Sequence, residues 1–210
     1  MARARARGVR LGVFGGTFDP VHVGHLAIAR AALEAVPLDR VLFVPARRSP
    51  LKDRGPFAGE ADRLAMLESA IADEPRFAVS RAELERDGPS YTVETLEQLA
   101  GPDELFLILG SDALADFSRW KDPERIARLA TLLVADRPGA PVPAADAPVR
   151  MFDAPRLDIS SRELRARVAR GRSLRYLVPE AAWRHIEARG LYRAEGSSPR
   201  TTEGPSPRTS

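Results

Sequence analysis

Two of the three histidines in this chain, His22 and His25, stand three residues apart in the run Gly15-Gly16-Thr17-Phe18-Asp19-Pro20-Val21-His22-Val23-Gly24-His25. Paired glycines let a backbone come close to a ligand and reach positive φ where a turn needs it. Their N–H groups can face phosphate oxygens. Histidines at i and i+3 share a face once the chain starts a helical turn. Each can donate an N–H to a phosphate and, if protonated, offset the charge of a leaving pyrophosphate. The run therefore predicts phosphate chemistry with His22 and His25 as the catalytic pair. Two other readings of these residues stay open. The histidines could only cap the helix, or they could belong to a metal site, for which no third ligand is evident; no metal-ligating set is expected. The glycine spacing fits neither the dinucleotide fingerprint nor a P-loop.

A second candidate is Ile159-Ser160-Ser161-Arg162-Glu163-Leu164-Arg165. Serines ahead of a helical pattern read as an N-cap, and Glu163, three past Ser160, completes a capping box. A helix N-terminus carrying hydroxyls, with Arg165 one turn in, is also a good anion site.

The elements that must position these motifs alternate along the chain. Residues 9–14, 40–45, 77–80, 104–109, 132–135 and 149–152 read as strands. Residues 26–36, 60–73, 92–99, 123–129, 160–169 and 179–189 read as helices. Continuous apolar strands in such alternation predict an α/β fold, a parallel sheet covered on both faces. The histidine turn then joins the first strand to the first helix, where a nucleotide phosphate binds in such folds.

Composition narrows the class. A length of 210 residues with 44% hydrophobic residues suits one α/β domain, here residues 9–193. No run reaches 18 apolar residues, so no membrane span is expected. The arginine-rich start has no apolar region behind it and is not a secretory signal. The absence of cysteine removes disulfides and thiolate chemistry and makes a cytoplasmic location the default. The pI near 9.8 invites a nucleic-acid reading. However, Arg3, Arg5, Arg7 and Arg10 together with residues 193–210 carry more net positive charge than the whole chain's +3, so the body is slightly acidic. Residues 1–8 and 194–210 are expected to be a disordered basic arm and a disordered tail, with no specific nucleic-acid partner.

Taken together, the two motifs resemble a nucleotidyltransferase superfamily marked by an HxGH turn near the N-terminus and an ISS-x-x-[IL]-R segment near the C-terminus. Three more segments resemble bacterial nicotinate-nucleotide adenylyltransferase: Pro89-Ser90-Tyr91-Thr92-Val93-Glu94-Thr95-Leu96, Gly110-Ser111-Asp112 followed by Trp120, and Gly171-Arg172-Ser173-Leu174-Arg175-Tyr176-Leu177-Val178-Pro179. The likeness spans residues 9–192.

It implies a doubly wound, Rossmann-like parallel sheet with helices on both faces and C-terminal helices. The implied reaction is adenylyl transfer from ATP to nicotinate mononucleotide in NAD biosynthesis. Mg²⁺ would bridge ATP phosphates with mostly water ligands. ATP would be held by Gly15, Gly16, Thr17, Phe18, His22, His25, Asp112, Ile159, Ser160, Ser161 and Arg165. The mononucleotide would be held by Lys52, Thr92 and Trp120, the indole stacking on the ring.

Leu51 stands where the family usually has histidine, so Arg47 or Arg48 is offered as the replacement phosphate contact; Arg162 stands where threonine is common. A phosphopantetheine adenylyltransferase shares the histidine turn but gives Thr92 and Trp120 no task. A non-catalytic nucleotide-binding regulator does not need two histidines. An RNA-binding role for the arginine arm would show as a salt-dependent gel shift. The oligomeric state, a homo-oligomer included, is not legible in the sequence.

Overall fold

The computed structural model describes residues 8–50, 54–136 and 147–194. Lys52, the arginines Arg3, Arg5 and Arg7, and residues 195–210 of the expected tail lie outside the described residues. Six strands, β1 (Arg10–Gly16), β2 (Arg40–Pro45), β3 (Phe77–Val79), β4 (Glu104–Gly110), β5 (Ala130–Asp136) and β6 (Val149–Asp153), form one sheet in the order β3-β2-β1-β4-β5-β6. All five pairings are parallel.

Parallel strands need crossovers, and from β1 to β5 helices supply them. These are α1 (Val23–Ala35), α2 (Glu60–Ile71), α3 (Thr92–Leu99), α4 (Ser111–Ala115) and α5 (Pro123–Leu129), followed by α6 (Ser161–Ala169) and α7 (Glu180–Arg189).

The central strands β1, β2, β4 and β5 are largely apolar on both faces, yet their side chains still alternate. Phe106 and Ile108 of β4 join a core with Phe14, Phe43 and Leu133. Leu105, Leu107 and Leu109 join the opposite core with Leu11, Val13 and Leu132. Helices α1, α2, α6 and α7 cover the first face through Ala29, Met66, Leu164 and Ile186. Helices α3 and α5 cover the second through Leu96 and Ile126. Full burial on both sides explains why these strands lack a polar face.

Strand order reverses between β1 and β4, so the crevice at their carboxyl ends is the topological switch point where such sheets bind ligands. Gly15 and Gly16 end β1, and Gly110 ends β4.

Most expected elements are present, with shifted ends. Helix α1 starts at Val23 rather than residue 26, because His22 is its N-cap. The short α4 and a 3₁₀ turn, Phe117–Arg119, had no periodic signal to announce them.

Candidate functional site

The histidine turn is built on the end of β1. Neither Gly15 nor Gly16 has positive φ; Phe18 does, at 48°. The glycines serve space instead. A Cβ on Gly16 would sit 3.0 Å from the Phe18 ring, while Gly15 faces open space. The Phe18 ring is buried against Phe14 and Phe43, with centroids 5.8 and 5.7 Å away. It can therefore offer a ligand only its backbone, while its ring supports His25 edge-on at 5.0 Å.

His22 and His25 stack, with ring centroids 3.6 Å apart and planes 23° from parallel. The His22 N–H donates to His25 Nδ1 (3.2 Å). An accepting Nδ1 places the His25 proton on Nε2. His22 is 6% exposed. Its Nδ1 has no hydrogen bond, since the His25 N–H that could cap it donates to the His22 carbonyl (2.9 Å). A Cβ on Gly24 would press on that Nδ1 at 3.1 Å, so the glycine is what lets the ring lie over the helix start. Burial lowers the His22 pKa from 6.5 to about 4. Of the two protonation states that the sequence reading left open, His22 therefore takes the neutral imidazole at neutral pH.

The second motif is bound to the first. Ser160 is the N-cap of α6, and its Oγ accepts from the Glu163 N–H (3.2 Å). The Glu163 carboxylate closes on the Ser160 hydroxyl (2.9 Å) rather than on a backbone N–H. Ser161 Oγ donates to the Pro20 carbonyl (3.0 Å), and Arg165 donates to the Asp19 carbonyl. The Arg165 guanidinium also lies over the Phe57 ring at 4.3 Å.

Asp19, given no role by the sequence, proves central. It is 2% exposed, and its carboxylate accepts from the N–H of Phe57 (2.7 Å), the N–H of Ala58 (3.1 Å) and the Tyr192 hydroxyl (2.7 Å). Arg63 was likewise not anticipated. At 1% exposed, it donates to the carbonyls of Thr17 and Ala46 (2.8 Å each), bridging the ends of β1 and β2.

Three cavities adjoin at this edge. One, about 740 Å³, is lined by His22, His25, Gly110, Ser111, Ile159, Ser160, Ser161, Arg162 and Arg165. A second, about 520 Å³, shares His25, Ser161 and Arg165 with it and adds Gly16, Thr17, Phe18 and Ser49. A third, about 510 Å³, shares Gly16, Thr17 and Ser49 with the second and reaches Glu83, Thr92, Arg119, Trp120 and Lys121.

Thr92 is the first residue of α3, whose N-cap is Tyr91 rather than Ser90 or Thr92. Ser90 instead ties the loop after β2 to this segment: its Oγ accepts from the Arg47 N–H (2.9 Å), and its N–H donates to the Arg48 carbonyl (2.8 Å). Trp120 follows the 3₁₀ turn, 5.7 Å from Phe117, and its Nε1 is buried without a partner. Asp112 is the second residue of α4, just past the end of β4.

Arg47, one of the two arginines offered as the replacement contact, has partners of its own. Its side chain turns to Asp87 (2.8 Å), Glu60 (3.3 Å) and the Arg86 carbonyl (3.0 Å). Among the described residues no group of three His, Asp or Glu side chains could hold a metal ion, and no helix is long and apolar enough to cross a membrane.

The cytidylyltransferase-like family model matches residues 13–167, from β1 through α6. A relative from Roseiflexus sp. (strain RS-1), named "Probable nicotinate-nucleotide adenylyltransferase", is 50% identical over 194 residues, covering 87% of this chain and 98% of its own. A relative of the same name from Thermus thermophilus is 50% identical over 188 residues, covering 88% and 100%.

The chain belongs to the nicotinate-nucleotide adenylyltransferase family.

The fold is shared more widely than the sequence. The nicotinic acid mononucleotide adenylyltransferase of Plasmodium falciparum complexed with NaAD superimposes with a TM-score of 0.68 at 17% identity, covering 88% of this chain and 97% of that one. The same enzyme complexed with APC gives 0.67. Within the family frame, the switch-point crevice is the place to seek the two substrates.

Proposed function

We propose that this chain transfers the adenylyl group of ATP to nicotinate mononucleotide, giving nicotinate adenine dinucleotide and pyrophosphate. The observation that carries this reading is the row of adjoining cavities. His25, Ser161 and Arg165 line the first two, and Gly16, Thr17 and Ser49 line the last two. Such a row suits an adenosine, a polyphosphate and a second nucleotide laid end to end.

A phosphate oxygen of the mononucleotide attacks the α-phosphorus of ATP, and the bond from that phosphorus to the bridging oxygen of the pyrophosphate breaks. No protein nucleophile is needed, so catalysis is positioning plus stabilisation of charge. Asp112 and the Ile159–Ser160–Ser161 segment hold the adenosine side. The His25 Nε2–H and the backbone N–H groups of residues 15–18 face the phosphates. Ser161 and Arg165, bonded to the carbonyls of Pro20 and Asp19, fix the turn that carries both histidines. Thr92 and Trp120 hold the acceptor ring, and Lys52 its phosphate. Mg²⁺ would come with ATP, held by phosphate oxygens and water, and would offset phosphate charge; the N–H, hydroxyl and guanidinium groups of the site would bind the phosphates themselves.

Pyrophosphate release from ATP tests this, with nicotinate mononucleotide, nicotinamide mononucleotide and phosphopantetheine offered in turn. The expected order places nicotinate mononucleotide first. Turnover with phosphopantetheine alone would move the chain to the other adenylyltransferase class.

A further inference from the structure

Glu83 is the group that this reading leaves without a task. It lies in the segment between β3 and α3, is 7% exposed, and lines the same cavity as Thr92 and Trp120. Its Oε1 accepts from the Thr95 hydroxyl (2.7 Å). Of the arginines near it in sequence, Arg81 turns away and Arg86 reaches it only through the Thr95 hydroxyl. Arg81 pairs with Glu68 (2.8 Å), while Arg86 pairs with Glu94 (3.2 Å) and reaches Thr95 Oγ1 (3.4 Å). Among the described residues no cation forms an ion pair with the Glu83 carboxylate.

A buried carboxylate without a counter-ion is costly unless a ligand brings the opposite charge. The same cavity is lined by Trp120, an indole being the best aromatic face for a cation, and by its neighbours Arg119 and Lys121. A cavity lined by a carboxylate, an indole and two cations, Arg119 paired with Asp116 (3.1 Å) and Lys121 with Glu94 (2.7 Å), presents both signs of charge. The acceptor ring also carries both: its nitrogen, bonded to ribose, is a pyridinium cation, and its carboxylate is an anion.

We propose that Glu83 recognises the pyridinium charge of the acceptor, with Trp120 as the second half of the cation site. This rests on the proposed reaction. It makes the oxidised ring, and not merely a flat ring, the recognised feature.

The test compares nicotinate mononucleotide with its ring-reduced 1,4-dihydropyridine form, which has the same sugar phosphate and carboxylate but no ring charge. Pyrophosphate release by the full-length protein is measured with each. Wild type is expected to favour the oxidised ring in kcat/KM by about 10-fold or more, as for a desolvated cation–π and ion-pair site. Glu83→Gln keeps an acceptor for Thr95 and removes the charge. It should lose most of that preference through a higher KM for the oxidised form, with the KM for ATP unchanged and the Tm no lower. Thr95→Val should lower Tm and keep the preference.

An unchanged preference in Glu83→Gln overturns the assignment. So does an equal loss with both ring forms, which would point to a ribose hydroxyl as the partner. Wild-type protein that turned over neither form would overturn the reaction itself, and this assignment with it.

Discussion

The Tyr192 hydroxyl donates to Asp19 Oδ1 at 2.7 Å, joining the segment that follows α7 to the turn that follows β1. The bond is between a half-buried phenol and a nearly inaccessible carboxylate. Burial and the carboxylate together push the phenol pKa upward, so it remains a donor at any working pH. Tyr192→Phe should cost roughly 1–3 kcal/mol, the range for a hydrogen bond to a charged group. Denaturant unfolding would measure it. No loss of stability would mean that Asp19 is satisfied by its two backbone N–H partners alone.

The histidines should be separable from the fold. His22→Ala and His25→Ala are each expected to lower kcat/KM by roughly 10²-fold or more, as for loss of a transition-state hydrogen bond. Far-UV circular dichroism should be unchanged. Near-normal turnover in both variants would return these residues to a capping role.

Stability should depend on pH through His22. Its pKa is lowered from 6.5 to about 4 by burial. The unfolded chain binds the proton more readily, so the contribution is fully present above about pH 6.5 and is lost as pH falls to about 4. The gap corresponds to roughly 3 kcal/mol at full loss. In His22→Gln the unfolding free energy should decline less over that window. Parallel curves for the two proteins would show that His22 titrates freely.

Trp120→Ala should raise the KM for the mononucleotide about five- to a hundred-fold, since stacking on an aromatic is worth roughly 1–3 kcal/mol, and should leave the KM for ATP alone. Trp120→Phe should restore much of the affinity. A change confined to Tm would make Trp120 a packing partner of Phe117 only.

Arg63 offers a test of the turn's backing. Arg63→Met removes the donors to the Thr17 and Ala46 carbonyls and also removes a buried cation, so the two costs partly offset. A stability loss of about 1–3 kcal/mol is expected, with kcat/KM falling further than Arg63→Lys, which keeps the charge. Full activity in the methionine variant would show that the turn holds its shape without the bridge.

What could be read in the sequence was what local pattern encodes. Strand β2 and helices α3 and α5 were legible to the residue, because an apolar run, a Gly-Pro stop and an Asp-Pro start are signals within a few positions. The histidine turn and the serine cap were legible for the same reason. Asp19, Arg63 and Glu83 were not, because each is defined by partners elsewhere in the chain: Arg63 meets Thr17 across 46 positions, and Asp19 meets Tyr192 across 173. A charged residue reads as surface until tertiary structure buries it. For Phe18 the sequence could not say that its ring is buried against Phe14 and Phe43, which leaves its backbone for the cavity.

The clamp of Ser161 on Pro20 and Arg165 on Asp19 also fixes an order of assembly. The histidine turn is made early in synthesis, but the groups that lock it arrive some 140 residues later. Contacts of such long sequence separation form late and slow folding. A nascent chain that has completed β1 to β6 thus has a nearly whole sheet and an unlocked turn, and chemistry must wait for α6. Activity in this chain therefore requires synthesis to have passed α6, and cleavage ahead of Ser161 would part the histidine turn from two of the groups that hold it.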